Sequence, residues 1–350
     1  MEKYKISNLS IHQDKTPQTI ALIERCFQYK KPNHFEIDFA PLMNRQNLNN
    51  CHILFSEATG KVLSHIGVNV RSLIFQDKKV PIAQLGGICV APEYQGKGYL
   101  KTLMNHVLKS YTKNVGMFFL WGDLVELYRK FEFYLAIGLA ESRGNTKALK
   151  AALEEYEFEK TLYKNLSVED QKQIHNIYKN ILSKKYALLH RNPGHWETIA
   201  RMTSTDLYLL RDQNGIIVCY FFTNKGQDLT NVIHEVGYFP SYEDVIIQCL
   251  SKGTLWLPEK EKHLLPDHSL KYMAMVRLGD HKIFSHFIQE WSHGELSIRG
   301  IDGKNISFRH KGESYTDTIE TFFLLLFGPS PLPEFREYGR PLFISGLDSI

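Results

Sequence analysis

The stretch of this 350-residue chain with the most chemical content is LGGICVAPEYQGKGYLKTLM, residues 85–104. An apolar strand pattern runs into a glycine loop. From Leu100 the apolar residues recur at three- and four-residue spacings (Leu103, Met104, Val107, Leu108), the signature of an amphipathic helix. Gln95 to Leu100 thus fall at a helix N-terminus, where unpaired N–H groups and the helix dipole favour an anion. Gly96 and Gly98 let the backbone approach a phosphate closely, and Lys97 adds charge; a pyrophosphate is the natural guest. The loop has neither the G-K-[ST] of a Walker loop nor the G-x-G-x-x-G of dinucleotide folds. Glycines alone would serve an ordinary turn as well. It is V-x-P-x-x-Q-G-x-G leading straight into an amphipathic helix that favours a ligand.

With these residues the chain resembles the GNAT superfamily of N-acetyltransferases, whose cofactor motif is Q/R-x-x-G-x-G/A. The matching positions are Gln95, Gly96, Lys97, Gly98, Tyr99 and Leu100, with Leu100 where a small residue is usual. The resemblance implies acetyl-CoA as co-substrate. It assigns the backbones of Ile88, Cys89 and Val90 to the pantetheine arm and the thioester carbonyl. A second segment, FFLWGDLVELYRKFEF at residues 118–133, is similar to the Y-x-x-x-G-F pattern of such enzymes, with Tyr128 matching and Glu132 in glycine's place. A thiol has a pKa of about 8.5 and a phenol about 10. Tyr128 can therefore hand its proton to a departing CoA thiolate without prior ionisation. The alternative is that Tyr128 is an ordinary residue of an amphipathic helix.

The L-W-x-x-x-x-x-x-Y-x-x-F string resembles in particular the Eis-like (enhanced intracellular survival) acetyltransferases. That likeness implies tandem GNAT-like mixed-sheet domains with a small C-terminal sterol-carrier-like α+β domain. The expected division is a catalytic GNAT domain at 1–145, a degenerate GNAT-like domain at 146–265 without a cofactor loop, and an α+β domain at 266–350 whose tail reaches the active site. In the Eis-like proteins and the tandem-GNAT myristoyltransferases the terminal carboxylate acts as general base. Attack needs a neutral amine, and an alkyl amine with pKa near 10.4 is mostly protonated at pH 7. The strand that often carries a glutamate base reads Gln84-Leu85-Gly86-Gly87 here, so the carboxylate of Ile350 is the substitute, against a tail that merely packs. The implied acceptor is a small-molecule primary amine or a lysine, aminoglycosides included, and such proteins often form homo-oligomers.

The elements that must position these groups follow the α/β (α+β) class. A helix is expected near Thr16–Phe27 and a strand at Cys51–Ser56. Val62–Phe75 should carry two strands before a turn at residues 76–78, and the central strand Val80–Val90 is broken by Gly86-Gly87. Met117–Trp121 reads as a buried strand. The final segment begins near Ser269 with a strand at Tyr272–Leu278, and the tail from Pro341 to Ile350 is apolar enough to be buried. Cys89 fits a small buried strand residue better than an acyl-cysteine nucleophile. Asp123 and Glu126 fit either the acceptor pocket or a solvated helix, and Glu36 and Asp38 are weaker candidates for a cationic amine.

Composition narrows the function classes. A net charge of +4 from 42 basic and 38 acidic residues makes no case for nucleic acid or membrane. Five scattered cysteines without a CxxC pair argue against a disulfide frame or zinc site and for a reducing cytoplasm. Fifteen histidines form no H-x-x-x-H or H-E-x-x-H, so no metal is expected. The expected activity is N-acetyl transfer; the alternative is a non-catalytic CoA-binding sensor or scaffold.

Overall fold

In the computed structural model, which describes residues 3–75, 78–331, 335 and 340–350, Val62–Phe75 is one strand of 14 residues rather than two. Its partner Lys78–Val90 pairs with it from Ser64 to Phe75, with one register shift between His65 and Gly67, and that ladder leaves no place for a turn. Of the expected turn at residues 76–78, residues 76 and 77 lie outside the described residues.

Thirteen strands share one mixed sheet: β1 (Tyr4–Asn8), β2 (Cys51–Ser56), β3 (Val62–Phe75), β4 (Lys78–Val90), β5 (Met117–Leu120), β6 (Tyr134–Ser142), β7 (Glu159–Thr161), β8 (Leu188–Leu189), β9 (Asp206–Arg211), β10 (Ile217–Thr223), β11 (Val232–Tyr238), β12 (Thr254–Pro258) and β13 (His268–Leu278). The order is β1-β2-β3-β4-β5-β13-β6-β12-β11-β10-β9-β7, with β8 set against β3. Two pairs are parallel, β4 with β5 and β11 with β12. Each half of the sheet is thus an antiparallel meander that reaches one parallel step through a helix, Tyr99–Tyr111 in the first half and Glu243–Leu250 in the second. A parallel step needs such a crossover, because a hairpin can join only antiparallel strands.

β13 lies between β5 and β6, bonded to both. The strand with which the last segment begins therefore completes the central sheet. The rest of that segment is a smaller unit: helix His281–Trp291, the sheet β14 (Leu296–Asp302), β15 (Asn305–His310) and β16 (Glu313–Thr318), and helix Ile319–Phe327. Phe284, Phe287, Phe322 and Phe323 are fully buried where the two helices meet, which is why these apolar stripes form helices that stay packed.

The apolar stripe of Tyr99–Tyr111 packs on the first half of the sheet. Leu103, Met104 and Val107 are fully buried there with Leu54, Ile66, Val68 and Phe118. Burying each such side chain is worth about 1.5–3 kcal/mol, enough to hold the helix start rigidly against β4. No helix among the described residues is long and apolar enough to cross a membrane.

Candidate active site

β4 and β5 are in register from Ile82–Met117 to Leu85–Leu120 and pair no further. Past that point β4 continues alone beside β3, with Gly87 in the left-handed region at φ +58° and a register shift opposite His65 and Gly67. The split opens a cavity of about 1600 Å³. One side is the backbone of Gly86 to Val90, and the floor is Gln95, Gly96, Gly98, Tyr99 and Leu100. Gly96 (φ +74°) and Gly98 (φ +83°) form the loop, and Gly98 caps the helix without a side-chain partner. A Cβ on either would meet nothing, so these glycines answer to backbone conformation rather than to crowding. Lys97 is turned away from the cavity: its ammonium donates to the Glu93 carbonyl at 3.2 Å and lies 4.7 Å over the Tyr94 ring.

Tyr128, on the short helix Val125–Arg129, lines the same cavity and is nearly fully buried. Burial, with the Cys89 thiol nearby, pushes its phenol up to about 12, so it carries its proton through the neutral range. The helix ends because Glu132 takes φ +64°, the left-handed conformation that a glycine adopts without strain, and Arg277 pairs with its carboxylate at 3.1 Å. Contact with the Cys26 thiol, and then burial, raise the Cys89 thiol well above its ordinary value. It is a protonated strand residue, not a poised nucleophile.

The tail enters from the other side. Its residues from Leu342 to Leu347 are buried, as are Asp348 and Ile350. A Cβ on Gly86 would stand 2.5 Å from the Ile350 carbonyl carbon and 2.8 Å from its oxygen, so the end of the chain lies directly on the glycine of β4. Four polar side chains hold it. Gln84 donates to the Asp348 carbonyl at 2.8 Å. Arg71 and Arg191 reach the Asp348 carboxylate at 3.2 and 2.7 Å, and Arg191 also clasps Glu235. Lys225, fully buried, donates to the Gly346 and Ser349 carbonyls at 2.7 and 2.6 Å and to the Ser349 hydroxyl at 2.9 Å. Arg71 on β3 and Gln84 on β4 come from the first half of the sheet and Glu235 on β11 from the second, while Arg191 follows β8 and Lys225 follows β10. The tail is clamped between them.

Of the weaker candidates, Asp123 lines the cavity. Glu126 pairs with Arg129 at 3.5 Å on the surface, and Glu36 is exposed. Asp38 is fully buried, its carboxylate pressed onto Gly226, where a Cβ would stand 1.7 Å from Oδ2. Sequence reasoning missed Arg71, Arg191 and Lys225. One signal was present: Asp348 is a lone carboxylate in an apolar tail, and a buried carboxylate demands a cation. No group of three or more His, Cys, Asp or Glu side chains among the described residues is arranged to hold a metal.

In this mixed sheet the first parallel pair, β4 with β5, splays over a glycine loop and a helix N-terminus. Residues 9–136 match the family model described as an acetyltransferase (GNAT) domain. Residues 9–136 thus carry a GNAT-type acetyltransferase domain, and the activity that domain supports is acyl transfer. No curated protein matches it in sequence. Among solved structures it is similar to a GCN5-related N-acetyltransferase from Anabaena variabilis (TM-score 0.60, 17% identity, covering 93% of this chain and 90% of that one). It is also similar to Eis1 from Mycobacterium abscessus (0.52, 12%, 90% and 85%) and to Saccharomyces cerevisiae N-myristoyltransferase with bound myristoyl-CoA (0.53, 11%, 79% and 83%). At these identities the likeness is one of fold, and it covers 79–93% of this chain.

Proposed function

We propose that the protein transfers the acetyl group of acetyl-CoA directly to a primary amine of a small molecule or a lysine. The observation that carries this reading is that Gly86 to Val90, the loop residues Gln95, Gly96, Gly98, Tyr99 and Leu100, Tyr128 and Ile350 all line one cavity. In it the loop and helix N-terminus hold the pyrophosphate of the donor. The free edge of β4 at Ile88, Cys89 and Val90 takes the pantetheine arm, and backbone N–H groups near Cys89 and Val90 offset charge on the carbonyl oxygen during attack. The carboxylate of Ile350 accepts the amine's proton, and Tyr128 returns one to the leaving thiolate. Lys97 contributes long-range charge at most, since its side chain is committed elsewhere.

The same layout supports a division of labour. Residues 1–145 carry catalysis. Residues 146–265 form a second GNAT-like unit, and the loop corresponding to Gln95–Gly98 there reads Phe239-Pro240-Ser241-Tyr242 before Glu243 and Asp244. Two carboxylates in that helix's first turn repel a phosphate, so no donor is expected there. Residues 266–350 supply β13, the small α+β unit and the tail. All five cysteines are free thiols, which supports the cytoplasm as the compartment.

Thermal melting tests the donor site. Acetyl-CoA at about 100 times its Kd should add roughly 2.7 kcal/mol of stability to the wild type. Gly98→Val places a β-branched residue at φ +83° and should abolish that gain with only a modest loss of apo stability. An undiminished shift in the variant would move the donor elsewhere.

Gly86→Ala tests the terminal base. The added methyl overlaps the Ile350 carbonyl carbon and must displace the end of the tail. Turnover should fall by ~10²-fold or more while acetyl-CoA still raises the melting temperature. Extending the chain by one glycine after Ile350, which converts the carboxylate to an amide, should do the same. Full turnover in both variants would reduce the tail to packing.

A further inference from the structure

We infer that the acceptor is a primary amine on an aromatic or similarly flat apolar body carrying one positive charge, and not a polycation. This rests on the acyl-transfer reading above and narrows its substrate class. The first observation is the wall of the cavity beside the tail. Phe27, Tyr29, Phe35 and Phe39, from the segment after the first helix, all face it. Phe35 is stacked at 4.8 Å on Phe39 and at 6.5 Å on Phe27, and Tyr29 meets it edge-on at 6.0 Å. Trp256 and Tyr272 line the cavity too, from β12 and β13. A flat ring can slot against such a wall in the offset or edge-on geometries that aromatic pairs favour.

The second observation is charge. Among the described lining residues the only carboxylate side chains are Asp123 and Asp228, against the cationic Lys101, Lys130 and Lys225. On the aromatic side that leaves Asp228 facing Lys225, whose ammonium sits 4.2 Å over the Phe39 ring and is bonded to the tail. A polyamine or aminoglycoside would bring several ammonium groups into a space whose carboxylates on this side are Asp228, already set beside Lys225, and the Ile350 terminus. Each unpaired ammonium would lose its hydration without a counter-ion. One ammonium is accommodated: it reaches the Ile350 carboxylate as it deprotonates.

The test is a comparison of kcat/KM with acetyl-CoA for four amines on the full chain: tryptamine and phenethylamine against spermidine and kanamycin. The aromatic monoamines should lead by on the order of 100-fold. Phe27→Ala removes a half-exposed part of the wall and should raise KM for tryptamine about 10-fold with kcat little changed, because it removes binding common to ground and transition states. Faster turnover of spermidine or kanamycin overturns the inference and leaves acyl transfer standing. Silence from all four amines also overturns it. In that case, acetyl-CoA failing to shift the melting temperature would bring down the acetyl-CoA reading as well, whereas a retained shift would leave the donor site in place.

Discussion

Tyr128→Phe is expected to lower turnover by ~10²–10⁴-fold, the usual worth of a positioned general acid, while acetyl-CoA binding stays as in the wild type. Phenylalanine preserves the ring that packs against Gly122, where a Cβ would stand 3.1 Å from Tyr128 Cε2, so the fold should not register the change. The pH profile adds a second reading. The acid works while it holds its proton, and burial raises the Tyr128 phenol to about 12. The wild type should keep its activity through pH 10, where an ordinary phenol is half ionised. A limb of the profile falling near pH 10, or a phenylalanine variant with wild-type kcat, would move the acid to another group or to water.

Asp348→Asn is the second large effect, and it reads out in stability. Asp348 is buried against Arg191 and Arg71, and Arg191 lies 4.0 Å over the Tyr178 ring and 4.7 Å over that of Trp196. Removing the carboxylate leaves two buried guanidinium groups with Glu235 as their remaining acid, and breaking such a pair costs about 3–5 kcal/mol. Burial by itself would raise the Asp348 pKa, but the charges of Arg191 and Arg71 outweigh it and the net shift is downward. A depressed carboxylate pKa contributes stability above the unfolded value, near 3.9, and loses it as pH falls through the folded value. Chemical denaturation at pH 7 should therefore separate wild type and variant widely, and the gap should close as the pH drops below about 3.9. Equal stability at pH 7 would mean that the tail is held by its apolar residues alone. Turnover should fall with the clamp, because Asp348 stands two residues before the proposed base.

Some of this layout was legible from local pattern. The loop at Gln95–Gly98 and its helix are governed by contacts within about twenty residues: strand, φ-positive glycines, then an apolar stripe. Such signals survive in a single sequence because neighbouring residues generate them. The same holds for Tyr128, whose helix and terminating left-handed residue lie within five positions of it. Val62–Phe75 was misread because a β-strand's length is set by its partner, and β4 lies beyond a turn that the pattern cannot weigh. β13 was assigned by sequence order to the last segment, yet its hydrogen bonds go to β5 and β6, more than a hundred residues upstream.

The sequence by itself determined the glycine loop, the candidate acid and the apolar character of the tail, since each depends on residue type and near spacing. Only the tertiary structure decided that β4 and β5 part after Leu85, that Lys97 turns away, and that the end of the tail rests on Gly86. It alone brought Arg71, Arg191 and Lys225 together around that tail. Those facts depend on pairings between residues up to 277 positions apart, as in Arg71 with Asp348, which chain order does not encode locally. Long-range contacts form where burial and charge compensation are satisfied at once, and a buried carboxylate announces its need for a cation without naming which one answers.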